Sequence, residues 1–168
     1  MREYTKWQTT AANLPYAAML LLGAAMLACA AKSPFWGWSG AVGYAAYGII
    51  GAVWIMVLVC PYCAYYDTRA CPCGYGWLAA KLARKGSHEC FAEKFRRHIP
   101  VIVPLWLIPV VCGGVALWRG FSLAMVLLMT AFVVNSYVIL PLVSKRHGCK
   151  ECPQKEGCPW MAGGAQAR

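Results

Sequence analysis

Eight of the ten cysteines lie outside the long apolar runs, seven of them in two short stretches of the chain. The first is CPYCAYYDTRACPCGYG, residues 60–76, where Cys60, Cys63, Cys71 and Cys73 are spaced C-x2-C-x7-C-x-C. The second is HGCKECPQKEGCPW, residues 147–160, where Cys149, Cys152 and Cys158 are spaced C-x2-C-x5-C. Cys90 is the eighth thiol and can complete the second set. A C-x2-C pair lets two sulfurs converge on one metal ion, because the backbone between them turns back on itself. Pro61 stiffens the first turn, and Gly74 and Gly76 permit tight backbone approach. Proline follows Cys60, Cys71, Cys152 and Cys158, as it follows the last cysteine of bacterial ferredoxin runs. Soft thiolates suit zinc and iron–sulfur clusters alike. All eight thiols are therefore candidate ligands for one or the other, as two four-cysteine sites or as one site with spare thiols.

The elements that must hold these cysteines are membrane spans. Hydrophobic residues make up 60% of the 168-residue chain and charged residues 13%, against about a quarter charged in soluble domains. Four apolar runs stand out, at residues 11–31, 40–59, 99–118 and 121–143, and none contains a charged residue. Each approaches the ~20 residues that carry a helix across a ~30 Å hydrocarbon layer. None alternates as a transmembrane strand would. The first run is too long for the apolar region of a signal peptide and is expected to be retained. The expected fold is an all-α, four-helix membrane bundle forming one integral membrane domain over 1–168. A cysteine-rich cytosolic cap is expected from the 60–98 connection and the 144–168 tail.

Charge sets the expected orientation. Of the sixteen Lys and Arg, two precede the first run, seven lie in residues 60–98 and five follow the fourth run; only Lys32 and Arg119 lie on the other side. The positive-inside rule then puts both termini and the 60–98 connection in the cytosol of a prokaryotic plasma (inner) membrane. The formal net charge of +10 follows from this topology, and no nucleic acid partner is expected. The eight clustered thiols share the reducing side, where structural disulfides are unlikely to persist and metal binding or redox work is the commoner use. Cys29 and Cys112 lie within spans and read as small packing residues.

Three resemblances bear on these thiols. CPYC matches the active-site sequence of glutaredoxins over four residues. That motif needs a βαβ setting to lower the first thiol's pKa, and here it follows a membrane span. The architecture is similar to four-helix membrane thiol oxidases, the disulfide-bond B proteins and vitamin K epoxide reductases, which use paired cysteines beside a quinone. Their working cysteines face the oxidising side, opposite to the side expected here. From about residue 60 to 160 the chain also resembles small four-span proteins with a C-P-x-C…C-P-x-G-x-G connection and a cysteine tail ending in C-P-W. That resemblance groups the cysteines together and implies no activity.

The remaining residues allow few other chemistries. With six acidic residues there is little material for paired-carboxylate catalysis, and there is no phosphate loop, H-E-x-x-H or nucleophile elbow. His88, His98 and His147 sit near the expected cytosolic boundary, as interfacial residues or extra ligands. No histidine lies mid-span to hold haem. Pro100, Pro104 and Pro109 should bend the third span and free backbone carbonyls, shaping packing or a quinone cavity. Asn135 and Ser136 need a partner from another helix. Ala41, Ala45, Gly48 and Ala52 form a small-residue stripe for close helix approach. Residues 77–98 read as amphipathic helices broken at Gly86, lying on the membrane surface. Three roles follow from the whole. The first is a metal-binding protein passing electrons between a redox partner and quinone or a membrane complex. The second is a structural-zinc scaffold, and the third a membrane dithiol oxidoreductase.

Overall fold

A computed structural model describes residues 3–149, 152–156 and 158–161. Arg2, Lys150 and Arg168, used above for orientation, lie outside the described residues. So does the tail from residue 162 onward.

The described residues are helical, with turns between helices and no strand. A chain surrounded by lipid has no water for its amides, so each span must close its hydrogen bonds internally. Four helical segments, Lys6–Ala30, Pro34–Tyr62, His88–Arg119 and Leu123–His147, are long and apolar enough to cross a membrane. Within them run α1 (Lys6–Ala30), α2 (Pro34–Leu58), α5 (Pro104–Arg119) and α6 (Leu123–Val133). Two short helices, α3 (Tyr75–Leu82) and α4 (Phe91–His98), lie in the connection between α2 and α5. A π-helical turn, Val134–Ile139, continues α6 into the short α7 (Leu140–Val143).

Local signals account for the helix starts. Thr5 Oγ1 accepts from the Gln8 N–H (3.3 Å), and Gln8 Oε1 accepts from the Thr5 N–H (3.0 Å). This reciprocal pair satisfies two of the orphan donors at the start of α1. Ser122 caps α6 by accepting from the Met125 N–H.

The chain divides into two compact units. One comprises Met1–Asn13, Ala52–Pro100 and Leu142–Arg168; the other comprises Leu14–Gly51 and Val101–Pro141. The second unit has its core where α1, α2, α5 and α6 each contribute: Met19, Met26, Tyr44, Leu105, Met125 and Phe132 are buried together. Its outer surface is apolar too, with Leu21, Ile49, Val111 and Leu127 exposed. Lipid tails are as apolar as these side chains, so the bundle gains by close packing and hydrogen bonding more than by dehydration.

Both devices are visible. The small-residue stripe on α2 does bring helices close, since a Cβ on Gly48 would run into Leu20 of α1. The Tyr16 hydroxyl donates to the Gly48 carbonyl beside it at 2.8 Å. Pro109 has no N–H to offer residue 105, four positions earlier. The Leu105 carbonyl thus left over accepts the Tyr44 hydroxyl at 2.8 Å, and Val101 O accepts the Tyr47 hydroxyl at 2.5 Å. The third-span prolines therefore free carbonyls that tyrosines of α2 take up. Asn135 finds its cross-helix partner as expected, its Nδ2 donating to the Pro15 carbonyl of α1 at 2.9 Å. Ser136 is fully buried, and its hydroxyl has no partner among the described residues.

Candidate metal centre

The first unit holds all eight candidate cysteines, and every cysteine of the chain is a free thiol. Its construction begins where α2 ends. Cys60–Tyr62 form a 3-10 turn with Pro61 at its start, closed by the Cys63 N–H donating to the Cys60 carbonyl at 3.1 Å. The same i to i+3 closure recurs at Cys63 (from Tyr66 N–H), Cys71 (Gly74), Cys149 (Cys152), Cys152 (Lys155) and Cys158 (Met161). Six of the eight thiols thus sit at the first position of a tight turn.

A fold-back brings the end of the first motif beside its start. Asp67 takes a left-handed φ of 56°, which a short polar side chain tolerates better than most. Its N–H donates to the Gly76 carbonyl at 3.1 Å. Gly74 opens α3 at φ 74°, and Gly76 lies so close to the Tyr65 carbonyl that a Cβ would collide with it. Asn13 of α1 holds the same loop, its Nδ2 donating to the Thr9 and Cys73 carbonyls at 2.8 and 3.0 Å.

The tail joins through Gln154. Its Oε1 accepts from the Ala64 N–H at 2.8 Å, and its Nε2 reaches the carbonyls of Tyr62 and His88, each at 3.4 Å. Tyr4 adds a second tie: its N–H donates to the Arg69 carbonyl (3.2 Å) and its hydroxyl to the His147 carbonyl (2.6 Å).

The result is mutual electrostatic contact among seven thiols from both motifs. Cys60 feels Cys71, Cys63 and Cys73; Cys63 feels Cys152, Cys71 and Cys158; Cys73 feels Cys71 and Cys149; Cys149 feels Cys158 and Cys152. Burial, reinforced by these neighbours, pushes Cys63 and Cys73 up to about 12 and Cys149 up to about 11. Cys152 is raised for the same reason.

Against that trend, hydrogen-bond donors are aimed at three of the sulfurs. The Gly76 N–H donates to Cys71 Sγ at 3.3 Å; the Tyr65 N–H acts on Cys63, and the Gln154 N–H and Tyr65 hydroxyl on Cys152, to lower those two thiols. A thiol sulfur is a weak acceptor, whereas a thiolate is a strong one, so these donors favour the charged form. Among the described residues no three His, Cys, Asp or Glu side chains are gathered tightly enough to grip a metal ion as they stand.

No protein-family model, curated protein or solved structure matches this chain. The assignment therefore rests on the residues themselves.

Cys90 precedes α4, and its N–H donates to the Ser87 carbonyl; its turn, His88–Cys90, packs against the Cys60–Tyr62 turn. Two of the three histidines are engaged elsewhere. His88 Nδ1 lies 3.2 Å from the Tyr62 carbonyl, and the His98 ring meets Trp54 edge-on at 6.0 Å. The amphipathic stretch divides as expected, into α3 and α4. Gly86 lies in the break, its N–H donating to the Pro61 carbonyl and its Cα against the Tyr62 ring. Tyr65, Gln154 and Asn13 are the site residues that sequence reasoning missed. Position beside cysteines was the only signal for the first two, and Asn13 carried none.

Proposed function

We propose that this chain is an integral membrane protein whose clustered cysteines bind metal, as an iron–sulfur cluster or as zinc. The ligands are drawn from Cys60, Cys63, Cys71, Cys73, Cys149, Cys152 and Cys158, with Cys90 as the eighth candidate. One observation carries this reading: the Gly76 N–H donates to Cys71 Sγ, and donors acting on Cys63 and Cys152 lower those thiols, inside a group of seven thiols that oppose one another's ionisation. The donors are built for thiolate, yet burial and crowding oppose it. A bound cation removes the conflict, because it holds thiolates deprotonated and cancels their repulsion. Hydrogen bonds to sulfur are also the protein's means of tuning such a centre.

The lysine and arginine distribution supports a cytosolic position in a prokaryotic plasma membrane, with both termini cytosolic. If the centre is iron–sulfur, its role is to pass electrons between a cytosolic donor and a quinone or membrane partner. If it is zinc, the centre locks the two cysteine segments together in a scaffold or a small subunit of a complex. A dithiol oxidoreductase is the third reading; against it, CPYC continues directly from α2, without the βαβ setting that lowers the first thiol's pKa.

The test is metal and acid-labile sulfide content, with the visible spectrum, on protein purified without oxygen. Iron and sulfide in near-equal amounts, lost in Cys63→Ser or Cys149→Ser, is the outcome expected for electron transfer. Zinc without sulfide selects the scaffold. Freely titrating thiols with no metal would overturn both.

A further inference from the structure

A second site lies in the other compact unit and is independent of the thiols. Two adjoining cavities, of about 310 and 350 Å³, share Ala30, Ala31, Ala116 and Arg119 in their walls. Lys32 lines the larger and Trp36 the smaller. Lys32 and Arg119 are the only charged residues in Leu14–Gly51 and Val101–Pro141, so this unit brings both its cations to one place and has no carboxylate to neutralise them. Helix dipoles do not supply the missing charge. Lys32 stands between the end of α1 and the start of α2, and Arg119 is the last residue of α5, just ahead of α6. Negative and positive helix ends therefore meet beside each cation.

We infer that Lys32 and Arg119 form a binding site for the headgroup of an anionic phospholipid. Three observations select that occupant. Both cations stand at the ends of apolar spans, the depth at which headgroups lie. Apart from Ser122, the rest of the lining is apolar, as suits a glycerol backbone and the tops of acyl chains. Trp36 and Trp118 are 70% and 93% exposed beside these helix ends, as in an interfacial aromatic belt. Ser122 adds a hydroxyl to the wall of the larger cavity.

The test is photolabelling of the full chain in phosphatidylcholine nanodiscs doped with photoactivatable phosphatidylglycerol or photoactivatable phosphatidylcholine. Labelled peptides are read by mass spectrometry. Peptides covering residues 27–40 and 111–128 should label on the order of tenfold more strongly with phosphatidylglycerol, from two cations at headgroup depth. Lys32→Gln with Arg119→Gln should abolish that preference, and Lys32→Arg with Arg119→Lys should keep it. Equal labelling by the two lipids would overturn the inference. So would a preference that survives the double Gln variant, or one that is lost in the charge-conserving pair. Suppression of the preference by millimolar inorganic phosphate would assign the site to a free anion instead of a lipid.

Discussion

The Tyr65 hydroxyl favours the thiolate form of Cys152, while the Tyr65 backbone N–H favours that of Cys63. One buried residue thus acts on a thiol from each of the two cysteine motifs. Tyr65→Phe should leave the backbone donor in place and remove only the donor to Cys152. The expected cost is about 1 kcal/mol of stability. In iron-loaded protein the reduction potential should fall, because one hydrogen bond to sulfur is lost. Spectroelectrochemistry on the variant checks this; an unchanged potential would place Cys152 outside the ligand set.

Gln154 should be the residue on which docking of the tail depends most. Gln154→Ala removes an acceptor for the Ala64 N–H and the donor shared by Tyr62 and His88. Orphaning the partly buried Ala64 amide costs about 1–3 kcal/mol. Cys149, Cys152 and Cys158 should then alkylate faster than in the parent, with Cys29 and Cys112 unchanged. Mass spectrometry of timed iodoacetamide reactions reads both sets in one sample.

Metal-free protein should show thiols of low reactivity at neutral pH. Cys63 and Cys73 are pushed up to about 12 from an ordinary 9.0, so the folded chain holds protons that the unfolded chain would release. Their contribution to stability is therefore level below pH 9 and falls as pH rises from there toward 12. Chemical unfolding of metal-free protein across that alkaline window measures the slope. Metal-loaded protein should lack it, since its thiols have already lost their protons.

The Tyr44–Leu105 hydrogen bond predicts a compensating pair in the second unit. Tyr44→Phe strands the Leu105 carbonyl, at a cost of about 1–3 kcal/mol. Pro109→Ala returns an N–H at the position able to satisfy that carbonyl. The double variant should be more stable than Tyr44→Phe alone, with a coupling of about 0.5–3 kcal/mol. Unfolding in mixed detergent micelles measures the cycle, and simple additivity would count against the freed-carbonyl account.

The spans were legible in the sequence because lipid leaves a single chain few options: long uncharged apolar runs become helices. The break at Gly86, the cross-helix partner of Asn135 and the close approach at Gly48 follow from single-residue properties as well. So did the cysteine candidates, since C-x2-C spacing turns the backbone wherever it occurs. Tertiary structure alone decided which thiols meet. Residues 60–73 and 149–158 are far apart in sequence, and their meeting depends on the left-handed Asp67 and Gly74, the Cβ-free Gly76 and the three-way hold of Gln154. The donors that distinguish Cys63, Cys71 and Cys152 are largely backbone N–H groups, which nearly every residue carries, so no residue type announces them.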